Sequence, residues 1–189
     1  MLLLILGLVL FLGIHSIRIF APAFRDAQFA QRGEKGWKGI YTIISLIGFA
    51  VMVWGYGEAR LVAPILYEPP VWMKHINATL MLIAFIVLMS GFFPAGKIRA
   101  AVKHPMVTAT KIWAFGHLLS NGDLASVLLF GSFLAWAVLD RISFKRRGDL
   151  GTTVPGPITN DILPVIVGLV IYGLFVVKLH VWLFGVSPL

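Results

Sequence analysis

The sequence contains no cysteine, so disulfide bonds, iron–sulfur clusters and thiolate catalysis are excluded together. Acidic residues are also scarce, with eight Asp and Glu against sixteen Lys and Arg. No apolar segment carries a pair of carboxylates, and neither a glycine-rich nucleotide-binding loop nor the zinc motif H-E-x-x-H occurs. Histidine, methionine and carboxylate side chains are therefore the only protein ligands left for a metal ion.

Apolar residues dominate the composition: 59% are hydrophobic, 13% are charged, and the mean hydropathy is +0.90. A soluble domain of 189 residues has only one core to fill, so we expect instead an integral membrane protein in contact with the lipid bilayer. The net charge of +8 would suggest nucleic acid in a soluble chain. Here the basic residues lie between apolar runs, where topology and anionic headgroups account for them, so we expect no nucleic-acid partner.

Six segments approach the length of roughly 20 apolar residues that a helix needs to cross a bilayer. The first is interpreted as a permanent helix, because it lacks the basic start and the small-residue cleavage site of a signal peptide. We therefore predict an all-α fold, a polytopic bundle of about six transmembrane helices in a single domain, 1–189. The predicted spans are residues 2–24, 40–56, 76–93, 105–121, 124–142 and 162–184.

Lysine and arginine are unevenly distributed among the predicted connections. Twelve lie in the connections after the first, third and fifth spans or at the span ends beside them, whereas the connections on the other side contain only Arg60 and Lys74. Positively charged loops remain in the cytoplasm, so both termini are predicted on the non-cytoplasmic side. The longest connection, 145–161, ends in Asn160 and Asp161, one of which is expected to cap the last span.

The segment 105–121 is the most polar of the six predicted spans. Pro105 is suited to the first turn of a helix, and Gly122 is suited to its end, which leaves an apolar length of about 25 Å. Polar side chains in a bilayer face protein or a cofactor rather than lipid, and His117 is expected to face such a site beside Trp113. The polar side chains of this segment form two stripes along the helix. One stripe contains Thr110, Trp113, His117, Ser120 and Asn121, and the other contains His104, Thr108 and Lys111.

All five histidines fall within or at the edge of a predicted span. Neutral imidazole is a common metal ligand that can be buried at modest cost, so this distribution favours a metal, haem or proton path. A plainer interpretation, an interfacial position, remains open for His75, His104 and His180.

His15 has the most suggestive surroundings of the five. Helical spacing predicts an inward-facing stripe that combines its imidazole with two guanidinium groups, which would suit haem propionates. Alternatively, His15 bonds a neighbouring helix while Arg18 reaches the lipid headgroups. The stripe comprises Phe11, His15, Arg18, Pro22 and Arg25.

Four short motifs together resemble the NnrU family of bacterial membrane proteins, which is similar to the plant zeta-carotene isomerase. The resemblance implies a haem b protein of the bacterial inner (cytoplasmic) membrane, linked to nitrite and nitric oxide reduction in denitrification. It implies His15 and His117 as axial ligands of the iron. Helical spacing, rather than the resemblance, then places Arg18 near a propionate and Trp113 beside His117. A cysteine that can replace one ligand in the plant enzyme is Ala114 here. The motifs are residues 13–16 (GIHS), 104–105 (HP), 112–118 (IWAFGHL) and 121–123 (NGD).

The predicted depths of these two histidines disagree. His15 lies about 20 Å below the outer surface and His117 about 8 Å below it, although two ligands of one iron must be level. Helix tilt would reconcile them; otherwise His104, towards the cytoplasmic side, is the competing ligand.

Two functions from different classes follow. One is a haem-dependent membrane enzyme, isomerase-like or redox, acting on a hydrophobic or small redox substrate. The other is a non-catalytic accessory or assembly subunit of a respiratory membrane complex, with a protein partner docked on small residues. A small transporter is a third and weaker alternative, because no span contains a buried carboxylate. The small residues are Gly48, Gly131, Gly168 and Gly173.

Overall fold

The computed structural model describes residues 1–188. Its regular structure in that range is helical, apart from one isolated antiparallel bridge between Ile65 and Asp123, which confirms the all-α prediction. A short 3₁₀ turn precedes the seventh helix, and a π-helical turn follows it. The helices are α1 (Leu2–Phe20), α2 (Pro22–Ala59), α3 (Trp72–Met89), α4 (Lys97–Val102), α5 (Pro105–Ser120), α6 (Leu124–Arg146), α7 (Ile162–Leu174) and α8 (His180–Phe184).

Five helical stretches in residues 1–188 are long and apolar enough to cross a bilayer. They are α1, α2, α3, α6 and the continuous run Ile158–Phe184 that contains α7 and α8. The remaining predicted span, 105–121, forms α5, which has 16 residues. Its length is about 24 Å, shorter than the roughly 30 Å hydrocarbon core, so α5 alone is too short to cross that core.

The long helices pack in the spatial order α2, α1, α6, α5, α3, α7. Each helix in this series contacts mainly the helix on either side of it. The polar helix α5 therefore lies between α3 and α6, and its two flanks are covered by protein. This order covers two sides of α5 with protein, which lowers the cost of its polar side chains in a bilayer.

The first connection differs from the prediction. Helix α1 ends at Phe20, Ala21 leaves the helical conformation (φ −135°, ψ 56°), and α2 begins at once with Pro22. Within α2, Gly33 adopts φ 70°, so this helix is broken into two parts. The stripe predicted from His15 to Arg25 is therefore wrong beyond Phe20, because the helical register is lost between α1 and α2.

Helices α1 and α2 approach closely where glycine replaces a side chain. A Cβ atom added to Gly7 would lie 2.3 Å from the backbone nitrogen of Met52, and one added to Gly55 would lie 2.4 Å from that of Leu4. Contacts this short exclude any larger residue unless the backbones separate. Small residues at membrane helix interfaces act in this way, since they let the backbones themselves pack.

We predict that Gly55→Ala destabilises the protein by roughly 1–3 kcal/mol, the usual effect of overpacking. Gly57→Ala is the matched control, because no atom lies within 4 Å of its added Cβ and the helix propensity of alanine favours it by about 1 kcal/mol. The thermal unfolding midpoint in detergent measures both. Equal midpoints for the two variants would contradict close packing at Gly55.

Candidate functional site

A cavity of about 880 Å³ lies between α1, α2, α5 and α6. The segment after α3, the short helix α4 and the connection after α6 close one end of it. Its volume lies within the range of about 300–1,000 Å³ that is usual for small-molecule sites. Basic residues from the first part of α2, from the α4 segment and from the connection after α6 surround it or lie near it, so it belongs to the end of the molecule that the charge distribution predicts as cytoplasmic.

The wall of the cavity combines aromatic rings with cations. Rings of Phe29, Trp37, Tyr41, Trp136 and Phe144 line it. Two carboxylates also lie on the wall, Asp140 in α6 and Asp149 in the following connection. This arrangement suits a ligand with a flat apolar body and negatively charged groups. The lining cations are Arg18, Arg25, Lys38, Arg99 and Lys103.

His15 lies on the cavity wall and is half-buried. Its Nδ1 donates a hydrogen bond of 2.6 Å to the carbonyl oxygen of Phe11, one turn earlier in α1. The imidazole is held among the rings of Phe11, Tyr41 and Trp136, at centroid distances of 4.3, 5.1 and 6.1 Å. Because Nδ1 carries the proton, Nε2 keeps a free lone pair, which is the usual arrangement in metal-ligating histidines.

His104 also lies on the cavity wall, immediately before α5. Its ring stacks on Phe144 at 4.1 Å, and its Nε2 is buried without a hydrogen-bond partner among residues 1–188. A buried polar atom in this state costs free energy unless a ligand, an ion or water completes it. The connection after α6 covers this ring: a Cβ at Gly151 would lie 2.8 Å from Nε2, and the amide of Thr152 donates to Lys103.

His117 is not among the residues that line the cavity. Its Nδ1 donates to the carbonyl oxygen of Trp113 at 2.9 Å, and its ring stacks on Phe130 at 4.5 Å. His15 instead contacts Trp136, six residues further along α6, so the two histidines differ in level by about 9 Å. Trp113, packed on Phe130, is likewise absent from the cavity wall.

The structure thus gathers part of the predicted site. His15, Arg18 and His104 share one cavity, whereas His117 and Trp113 lie outside it. Measured along α6, His15 lies between His117 and His104. Phe144, on which His104 stacks, is about 12 Å beyond Trp136, which His15 contacts. Residues 1–188 contain no group of three or more His, Asp or Glu side chains placed to hold a metal ion.

The remaining two histidines lie away from the cavity. His75, in the first turn of α3, is exposed. His180 begins α8, and its Nδ1 donates to the carbonyl oxygen of Val186 at 2.7 Å.

Comparison with known proteins adds one finding. The model of the family described as NnrU protein matches residues 3–188. The chain belongs to the NnrU family. No curated protein and no solved structure matches it. The similarity of this NnrU chain to the plant zeta-carotene isomerase, and the haem that it implies, therefore stay predictions.

Asp140 is the residue of the NnrU cavity that the sequence does not single out. The fifth span is predicted to end at residue 142, so Asp140 is expected near a helix end. A capping or interfacial role is the simplest one for a residue in that position. The observed α6 continues to Arg146, so Asp140 lies inside the helix and on the cavity wall. The signal available in the sequence was a single carboxylate within an otherwise apolar stretch.

We predict that Gly151→Ala loosens the cover over His104. The residue has φ +65°, and the added Cβ would collide with His104 and with the carbonyl oxygen of Lys103, at 2.5 Å. Modification of His104 by diethyl pyrocarbonate, followed by peptide mass spectrometry, should become several-fold faster. Gly148→Ala is the control, since it has the same kind of backbone strain (φ +71°) with no atom within 4 Å. Equal rates in the two variants would exclude a cover formed by Gly151.

Proposed function

We propose that this NnrU-family chain is an integral membrane haem b protein whose haem lies in the cavity between α1, α2, α5 and α6. The supporting observation is that two histidines and five cations line one aromatic cavity of about 880 Å³. Haem has the properties that this wall selects, a flat apolar macrocycle with two negatively charged propionates. The residues of the cavity therefore fit the cofactor that the family resemblance implies.

His15 is the first ligand in this proposal. Its Nδ1 donates to the backbone of Phe11, so the ring is oriented and the lone pair of Nε2 is available. His104 is the second ligand in this proposal, because it lines the same cavity and its buried Nε2 has no partner. Binding one iron would require the level difference of about 12 Å between His15 and His104 to close, compared with about 9 Å for His117. His117, the ligand implied by the resemblance, is the competing assignment.

The cations supply the second part of the proposed site. Arg18 in α1 and Arg25 in α2 line the cavity, and both are suited to bind a propionate. Arg25 is held in place by Asp26 at 3.1 Å and lies over the ring of Phe29 at 4.3 Å. These contacts fix the charge near the cavity while the aromatic wall excludes water from the apolar part of the ligand.

A bound haem iron would supply one-electron redox chemistry or coordinate a small ligand. The chain's own contribution is to bind and orient the cofactor and to admit a hydrophobic or small redox substrate to the same cavity. Isomerase-like or redox activity, and the link to nitrite and nitric oxide reduction, belong to this proposal through the family resemblance.

We predict that the purified wild-type protein, from cells with sufficient haem, has the absorption spectrum of a bis-histidine haem b. His15→Ala and His104→Ala should each change this spectrum to that of a five-coordinate or haem-free protein, because an axial ligand is lost. His117→Ala should leave it unchanged, and exposed His75→Ala is the neutral control.

Two results would contradict the assignment in different ways. A colourless but folded wild-type protein would exclude the haem proposal altogether. Loss of the spectrum in His117→Ala, with an unchanged spectrum in His104→Ala, would assign the second ligand to His117 instead.

We further propose that the cavity faces the cytoplasm in the bacterial inner membrane, with both termini on the opposite side. The chain has no native cysteine, so Lys35→Cys and Arg60→Cys each create a single thiol. A membrane-impermeant maleimide added to intact spheroplasts should label Arg60→Cys and spare Lys35→Cys until the membrane is permeabilised. The reverse pattern would overturn the orientation that the twelve-to-two charge distribution predicts.

The alternative function is an accessory or assembly subunit of a respiratory complex. Of the glycines that this function would use, Gly48 packs on Phe11 and Gly168 packs on Ile86 within the chain itself. Gly131 and Gly173 have no atom within 4 Å of an added Cβ, so only these two remain open to a partner. Co-purification separates the functions: a solubilised protein that runs alone and turns over a substrate excludes the accessory role.

A further inference from the structure

Asp140 is a carboxylate inside a membrane-spanning helix. It lies six residues before the end of α6, which is about 9 Å from Arg146 along the helix axis. It is half-buried and lines the cavity. An ionisable residue at such a position is expensive for a membrane protein, and most residues of this kind have a function in ion, proton or substrate handling.

Asp140 has no structural role comparable to that of the chain's other buried or cavity-lining aspartates. Asp123 caps α6, Asp161 accepts from the amides of Lys97 and Ile98, and Asp149 accepts from the amide of Gly151. In residues 1–188, by contrast, Asp140 accepts no hydrogen bond, and no nitrogen of Lys, Arg or His lies within 4.0 Å of its carboxylate. It can therefore gain or lose a proton without breaking a bond that holds the fold.

Charged and titratable groups nevertheless surround Asp140 from every element packed against it. They lie beyond contact distance and act on the carboxylate through space. The positive groups therefore stabilise the negative charge of Asp140 without fixing the position of its side chain. Because the cations outnumber the second carboxylate, the cavity also attracts anions towards Asp140. The groups are His15 and Arg18 of α1, Tyr41 of α2, His104 before α5, and Arg147 and Asp149 after α6.

We propose that Asp140 exchanges protons between the cytoplasmic side and the cavity, and that it donates or accepts the proton required by the chemistry there. This inference rests on the proposed function for the cytoplasmic orientation of the cavity and for the haem within it. In the donating direction, Asp140 gives one proton to a group in the cavity and regains one from water at the cytoplasmic end. With haem bound, the Asp140 carboxylate would take up one proton from water and so compensate the negative charge added by an external one-electron donor.

The first experiment needs no cofactor. Hydrophobic dicyclohexylcarbodiimide adds to protonated carboxyl groups in apolar surroundings, and the adduct is located by peptide mass spectrometry. In the purified full-length protein, we expect modification of Asp140, with less of it as the pH rises. Glu58→Gln, a control at an exposed carboxylate that does not line the cavity, should leave the labelling of Asp140 intact. An unmodified Asp140 at every pH would overturn the proposal.

The second experiment tests the coupling to haem by a potentiometric titration. The midpoint potential of the wild-type protein and of Glu58→Gln should fall as the pH rises, because reduction takes up a proton. Asp140→Asn should remove most of this pH dependence. An equal slope in all three proteins would exclude Asp140 as the coupled group. A colourless wild type would instead exclude the proposed function, and carbodiimide labelling would still decide whether Asp140 exchanges protons.

Discussion

The need to keep polar groups of α5 out of lipid is the constraint on which the arrangement of this molecule depends. Within α5, Thr110 and His117 donate to backbone carbonyl groups one turn earlier, of Met106 and Trp113. Asn77 of α3 reaches Ser120 at 2.9 Å and joins the two helices by a polar contact. These hydrogen bonds satisfy polar groups of α5, and α3 and α6 flank it. Both reduce the free-energy cost that the same helix would have alone in a bilayer.

The cavity is related to the shortness of the same helix. Helix α5 begins at Pro105 and spans about 24 Å, whereas α6 beside it has 23 residues and spans about 35 Å. The space beyond the start of α5 is closed by the segments around α4 and by the connection that contains Gly151. The short helix thus leaves room at one end of the bundle, and cations of α1, α2 and the α4 segment surround that room.

Much of this could be predicted from residue type and periodicity, because hydropathy and capping act locally. The membrane class, the helical segments and the polar character of 105–121 needed no tertiary information. The stripe from His15 to Arg25 failed, since a single break at Ala21 changes the direction of every later side chain. Arg25 still reaches the cavity, but by a turn of the chain rather than by helical spacing. Asn160 or Asp161 was expected to cap the last span. Asp161 does lie at the N-cap position of α7, but its carboxylate accepts from the amides of Lys97 and Ile98 at the start of α4.

The sequence alone determined the class of protein, its helices, its family and the end of the molecule at which positive charge collects, because each depends on neighbours in the chain. Only the tertiary structure decided that His15 shares a cavity with His104 while His117 packs on Phe130 outside it. The relative level of side chains on different helices depends on how those helices slide along one another. Close contacts such as Gly7 on Met52 and Gly55 on Leu4 set that position, and no spacing within one helix contains it.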